Sequence, residues 1–117
     1  MKFANPYWSE KLKMSALQRW LIVHSILYYE MNDSVVSDKT FDANAKQLVK
    51  MQKENPEEAK ETTYWYMFYD FDGSTGFDLY DRLSNKDKKY LMHIASLVLK
   101  LSRGEVGSNE KNKSKRR

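Results

Sequence analysis

The chain has 117 residues, 41% hydrophobic and 14% aromatic, with a net charge of +4 and no cysteine. That length fits one domain with a small core, and the cysteine count excludes disulfides and thiolate metal sites. Two histidines, His24 and His93, are too few for a histidine-based zinc site without carboxylate help, so no metal is expected.

Residues 1–8 contain Phe3, Pro6, Tyr7 and Trp8, which read as an apolar strap. They carry no signal-peptide core. No apolar run approaches the roughly 20 residues of a membrane span. A cytoplasmic protein without membrane contact is the expectation. The first helix has two possible starts, Ser9 as a cap or Ser15 with Gln18 as a capping box. Leu17, Leu21, His24, Tyr28 and Met31 then follow helical spacing, with Trp20 and Leu27 beside them. Asn32-Asp33-Ser34 breaks the pattern, and Val35-Val36 is expected to pack inward.

A second helix is expected from about Asp38 to Lys53, capped by Ser37, with Asp38 at its positive end. Phe41, Ala45, Leu48, Val49 and Gln52 mark its inner face. Glu54-Asn55-Pro56 ends it, and Pro56 suits the first position of a following helix. Residues 56–69 are read as helix. The run Thr62 to Tyr69 also has strand composition, but no partner strand is evident. Asp70-Phe71-Asp72-Gly73-Ser74-Thr75-Gly76 is a loop, and Phe77 to Leu83 a short helix. Ser84 caps the last helix, whose stripe is Tyr90, Leu91, Ile94, Leu97, Val98 and Leu101, ended by Gly104. The sum is an all-α fold: a small bundle of four to five helices over residues 1–103 and a disordered basic tail over 104–117. The tail holds five Lys/Arg and two acids, a surplus of +3, so the first 103 residues carry 15 bases against 14 acids and are nearly neutral.

Chemistry concentrates between His24 and Asp42. Asp38 and Asp42 are four apart and share a helical face, from which both look back across the turn at Tyr28 and Tyr29. Aromatic faces opposite two carboxylates suit a flat, positively charged ligand. The same residues also serve a purely structural reading, with rings in the core and aspartates at a helix start.

Tyr28-Tyr29, Asp38-Lys39-Thr40-Phe41-Asp42, Gln47-Leu48 and Asn55-Pro56 together resemble the N-terminal, Ia-type domain of bacterial NAD-dependent DNA ligases. The resemblance runs from about Leu17 to Glu57, a third of the chain. It implies a ligase Ia-like helix hairpin and a pocket for the nicotinamide mononucleotide (NMN) half of NAD. Tyr28 would stack on the nicotinamide and Tyr29 would line the pocket. Asp38 and Asp42 would hold the amide, the ribose or the cationic ring. His24 stands where such domains often carry a polar residue. Phe41 departs from the family's usual Tyr, which removes a hydroxyl and about 1 kcal/mol of hydrogen bonding. The family's catalytic Lys-x-Asp-Gly is missing, so catalysis by the ligase route is not expected.

Three further features are weighed. Asp70-Phe71-Asp72-Gly73 has the form of a magnesium-dependent aspartyl phosphotransferase loop, but the alternating α/β pattern that such enzymes need is absent. As a calcium loop it fails because Thr75 stands where glycine is required. A turn capped by its own aspartates is the simpler reading. The 111–117 tail is capable of weak, non-specific nucleic-acid contact. Two functions compete. One is a non-catalytic module binding NMN or NAD. The other is a protein- or nucleic-acid-interaction protein that reuses the fold, for instance a phage-encoded host-directed regulator or counter-defence factor. The first needs Asp38 and Asp42 free and facing a pocket. The second needs a contiguous apolar patch, expected among Tyr64–Tyr69 or Phe77–Tyr80.

Overall fold

A computed structural model describes residues 8–104. The regular structure in that span is entirely helical: α1 (Glu10–Ser25), continued by a π-helical turn (Ile26–Glu30), then α2 (Asp38–Glu54), α3 (Pro56–Lys60), α4 (Trp65–Phe68), α5 (Leu79–Arg82) and α6 (Asn85–Ser102). Six α-helices stand in the described residues where four or five were expected, because residues 56–69 divide into α3 and α4. The Phe3–Tyr7 part of the strap and all of the basic tail beyond Gly104 lie outside the described residues. None of the described helices is long and apolar enough to cross a membrane.

The three long helices start in one way. The hydroxyl oxygens of Ser9, Ser37 and Ser84 accept from the amides of Leu12, Thr40 and Asp87 at 3.1, 3.1 and 3.2 Å. Such caps are typically worth about 1 kcal/mol each, by satisfying an orphan N–H of the first turn. Ser9 therefore starts α1. Ser15 instead accepts from the Thr63 amide at 3.1 Å, tying α1 to a distant turn.

α1 and α2 form an antiparallel hairpin. Gln18, midway along α1, meets Gln52 near the end of α2 at 3.5 Å, and His24 and Ser25 at the end of α1 share a cleft with Asp38, Phe41 and Asp42 at the start of α2. Met14, Leu17, Leu21 and Ile22 of α1 are fully buried, as are Ala45 and Leu48 of α2. Met67, Phe68, Leu79, Leu91 and Ala95 close the core from the remaining helices. Each large apolar side chain removed from water in this way contributes about 1.5–3 kcal/mol. On α6 the buried positions are Leu91 and Ala95, with Ile94 and Val98 half-covered. Tyr90, Leu97 and Leu101, expected inside, are exposed. Val35 is also exposed, because the turn lifts it away from the hairpin.

Residues 56–69 do not form one helix. The Thr62 hydroxyl donates to the Ala59 carbonyl at 2.6 Å and accepts from Gln18 Nε2 at 2.8 Å. The Tyr64 amide donates to Gln18 Oε1 at 3.0 Å. A buried side chain from α1 thus takes hydrogen bonds that a continuous helix would keep within itself, and the chain turns there.

The end of α1 positions the site. From Ile26 the hydrogen bonds lengthen by one residue: the Met31 amide reaches the Ile26 carbonyl at 3.0 Å. The Asp33 amide reaches Leu27 at 2.8 Å. Asn32, at φ 54°, closes the turn in the left-handed region that Asn tolerates. The wider turn keeps Ile26 and Leu27 buried while Tyr28 and Tyr29 swing to the surface. Arg103, just past α6, pins this turn through a 2.6 Å ion pair with Asp33.

Candidate functional site

α1, the N-terminal half of α2 and the loop before α5 surround a cleft of about 220 Å³. All six residues singled out from the sequence line it: His24, Tyr28, Tyr29, Asp38, Phe41 and Asp42. The helix spacing accounts for half of this arrangement, since His24 and Tyr28 are one turn apart and so are Asp38 and Asp42. The antiparallel hairpin accounts for the rest by setting the two pairs opposite each other.

The aromatic wall has a definite geometry. Tyr28 and Tyr29 stand edge to face, with centroids 4.8 Å apart and planes at 88°. Both are exposed, at 51% and 41%. The His24 ring stacks at a tilt on Trp20, 4.3 Å between centroids. Its Nδ1 is buried and has no hydrogen-bond partner among the described residues. Burial pushes the His24 pKa below its ordinary value of 6.5, which keeps the ring neutral at pH 7. Asp38 and Asp42 are exposed, and neither has an ion-pair partner among the described residues. A neutral histidine and three aromatic rings thus share a small cleft with two carboxylates.

The third wall is a loop that the residue pattern did not connect to the site. Ser74, Thr75 and Gly76 line the cleft. The Tyr29 hydroxyl lies 3.4 Å from Thr75 Oγ1, and the Tyr29 ring stands edge-on to Phe77 at 5.5 Å. Ser25, Ser34, Val36 and Ser37 complete the lining. The Gly-Ser-Thr-Gly run around the loop is visible in sequence as a flexible turn. Nothing local assigns it to a helix 46 residues earlier.

The loop's own aspartates are engaged elsewhere. Asp70 pairs with Arg82 at 2.8 Å. Asp72 Oδ1 accepts from the Ser74 hydroxyl at 2.7 Å and the Ser74 amide at 2.9 Å. Those bonds, the hydroxyl's first, hold the Asp72 carboxyl below its usual pKa. This is a side-chain-capped turn. Among the described residues no group of three His, Cys, Asp or Glu is placed to hold a metal ion. His93 is exposed on α6 and takes no part in the cleft.

No family model, curated protein or solved structure matches this chain.

Proposed function

We propose that the chain is a non-catalytic module that binds a nicotinamide nucleotide, NMN or NAD, through its nicotinamide half, on a hairpin like that of the ligase Ia domains it resembles. The observation that carries this reading is the shared cleft: Tyr28, Tyr29 and Phe41 offer ring faces, and Asp38 and Asp42 sit among them without ion-pair partners among the described residues. A quaternary pyridinium ring is flat and cationic. It gains from stacking, from cation–π attraction and from nearby carboxylates at once. The cleft is small beside the pockets that enclose whole drug-sized ligands, which suits a ligand held by one half.

The test is a titration of isotope-labelled protein with NMN, NAD and AMP, followed by NMR. Saturable shifts at Tyr28, Tyr29, Asp38, Phe41 and Asp42 with NMN and NAD but not AMP are expected. Asp38→Asn combined with Asp42→Asn should abolish them while leaving the remaining spectrum folded. No response up to millimolar ligand would overturn the reading.

The interaction reading draws on a different face. Within 64–69 the expected patch is interrupted, because Tyr64, Met67 and Phe68 are buried and the Tyr66 hydroxyl is hydrogen-bonded to Asp87. Tyr66 and Tyr69 of that stretch are exposed, as is Phe77 of the other expected stretch, and further exposed apolar surface lies along α6 at Tyr90, Leu97 and Leu101.

A further inference from the structure

The charges around the cleft are one-sided. Its lining contains two carboxylates and, among the described residues, no lysine or arginine. Lys39, the neighbour of Asp38 in α2, is exposed and does not line the cleft. Arg103 stands near the adjacent, more open hollow lined by Tyr28, Tyr29, Asn32, Asp33 and Ser34, and its guanidinium is already held by Asp33 at 2.6 Å. The start of α2 would ordinarily attract an anion. Here its Thr40 amide is taken by Ser37 Oγ at 3.1 Å, and the Asp38 carboxylate already occupies the first turn. His24 is neutral through burial and brings no countercharge.

We propose that recognition in this cleft ends at the ribose, so that the preferred ligand is the cationic nicotinamide riboside, whose 5′-phosphorylated and ring-carboxylate forms are disfavoured by Asp38 and Asp42, which face them without a basic partner among the described residues. This rests on the reading of the cleft as a nicotinamide site and narrows it. The ring and ribose fill the space between the aromatic wall and the Ser74–Gly76 loop. A 5′-phosphate is left at the mouth, where it meets negative charge and, among the described residues lining the cleft, no guanidinium or ammonium. A carboxylate in place of the carboxamide would meet the same repulsion inside. NMN and NAD then bind through the same half as the riboside, and their phosphates weaken the complex.

The electrostatic argument makes a signed prediction about salt. Attraction between the riboside cation and the two carboxylates is screened as ionic strength rises, so riboside binding weakens. Repulsion of the phosphate is screened as well, so the gap between riboside and NMN narrows.

The experiment is calorimetric or NMR titration of the full chain with nicotinamide riboside, nicotinic acid riboside, NMN and NAD, at low salt and again at high salt. The expected result is riboside binding about three- to tenfold tighter than NMN at low salt, the range for one or two screened charge contacts. Nicotinic acid riboside should bind more weakly than the amide, and the riboside–NMN gap should shrink in salt. NMN binding as tightly as riboside or tighter at low salt would overturn the inference and leave the nicotinamide site standing. Equal binding of the acid and amide ribosides would overturn the carboxamide preference. No binding by any of the four would remove the nicotinamide reading itself, and this inference with it.

Discussion

Gly76 lies directly against Phe41. A Cβ added to Gly76 would sit 2.8 Å from Phe41 Cζ and 3.1 Å from Ser25 Cβ. The absence of a side chain at position 76 is therefore what lets the loop close on the hairpin and form the third wall of the cleft.

Gly76→Ala should push the Phe41 ring off its position, because Ser25 is buried in α1 and has less freedom to move than a half-buried ring. Overpacking of this kind typically costs about 1–3 kcal/mol, and the lower end is expected here. Urea unfolding should show that loss, and NMN binding should weaken more than stability does. Phe41→Tyr meets the same limit. Its hydroxyl extends from Cζ into the crowded region beside Gly76, so the substitution should not recover the hydrogen bond that the ligase resemblance suggests is missing.

Gln18 holds the turn between α3 and α4 from the far side of the core. It is fully buried, and both ends of its amide are bonded, to Thr62 and to the Tyr64 amide. Gln18→Leu keeps the volume but leaves the Tyr64 N–H without its acceptor. The expected loss is about 2–4 kcal/mol, one or two buried groups left unsatisfied. Gln52→Leu, at a half-buried position, should cost less. A chemical-denaturation comparison of the two variants checks the order.

Tyr66 fastens the start of α6. Its hydroxyl donates to Asp87 Oδ2 at 2.8 Å and accepts from the Ser84 amide at 3.1 Å. Tyr66→Phe should lower stability by about 1 kcal/mol, a melting point lower by about 4–8 °C in a domain of this size. An unchanged melting point would mean that Ser84 alone caps the helix.

His24 makes stability depend on pH with a defined sign. Burial lowers its folded pKa below 6.5, so the unfolded chain binds the proton more readily. Stability from this group is complete above the unfolded pKa and is lost as pH falls from there toward the folded pKa. Urea midpoints measured at about pH 7.5 and about pH 5.5 should therefore fall more in the natural chain than in His24→Gln, which lacks this one buried titrating ring.

Much of the site was legible because it is local. Tyr28, Tyr29, Asp38, Phe41 and Asp42 lie within 15 residues, and a hairpin of two capped helices brings such neighbours together almost wherever the rest of the chain goes. The same holds for His24, one turn before Tyr28. The loop wall was not legible. Thr75 and Gly76 touch Tyr29 and Phe41 only after the whole chain has packed, and a Gly-Ser-Thr-Gly turn gives no local sign of its partner. The widened π turn that exposes both tyrosines was also invisible, since apolar spacing continues smoothly through Leu27 to Met31.

By itself the sequence determined the all-helical class, the serine starts of α2 and α6, the hairpin turn after Met31 and the loop from Asp70 to Gly76. Each follows from interactions within a few residues: caps, periodicity and turn chemistry. Only the tertiary structure decided between Ser9 and Ser15 as the first cap, split residues 56–69 into two single turns and left Tyr90, Leu97 and Leu101 outside. Those outcomes depend on groups far apart in the chain, above all the Gln18 amide, which bonds Thr62 and the Tyr64 amide 44 and 46 residues away. A buried hydrogen bond of that kind outweighs the few tenths of a kilocalorie that separate one local conformation from another.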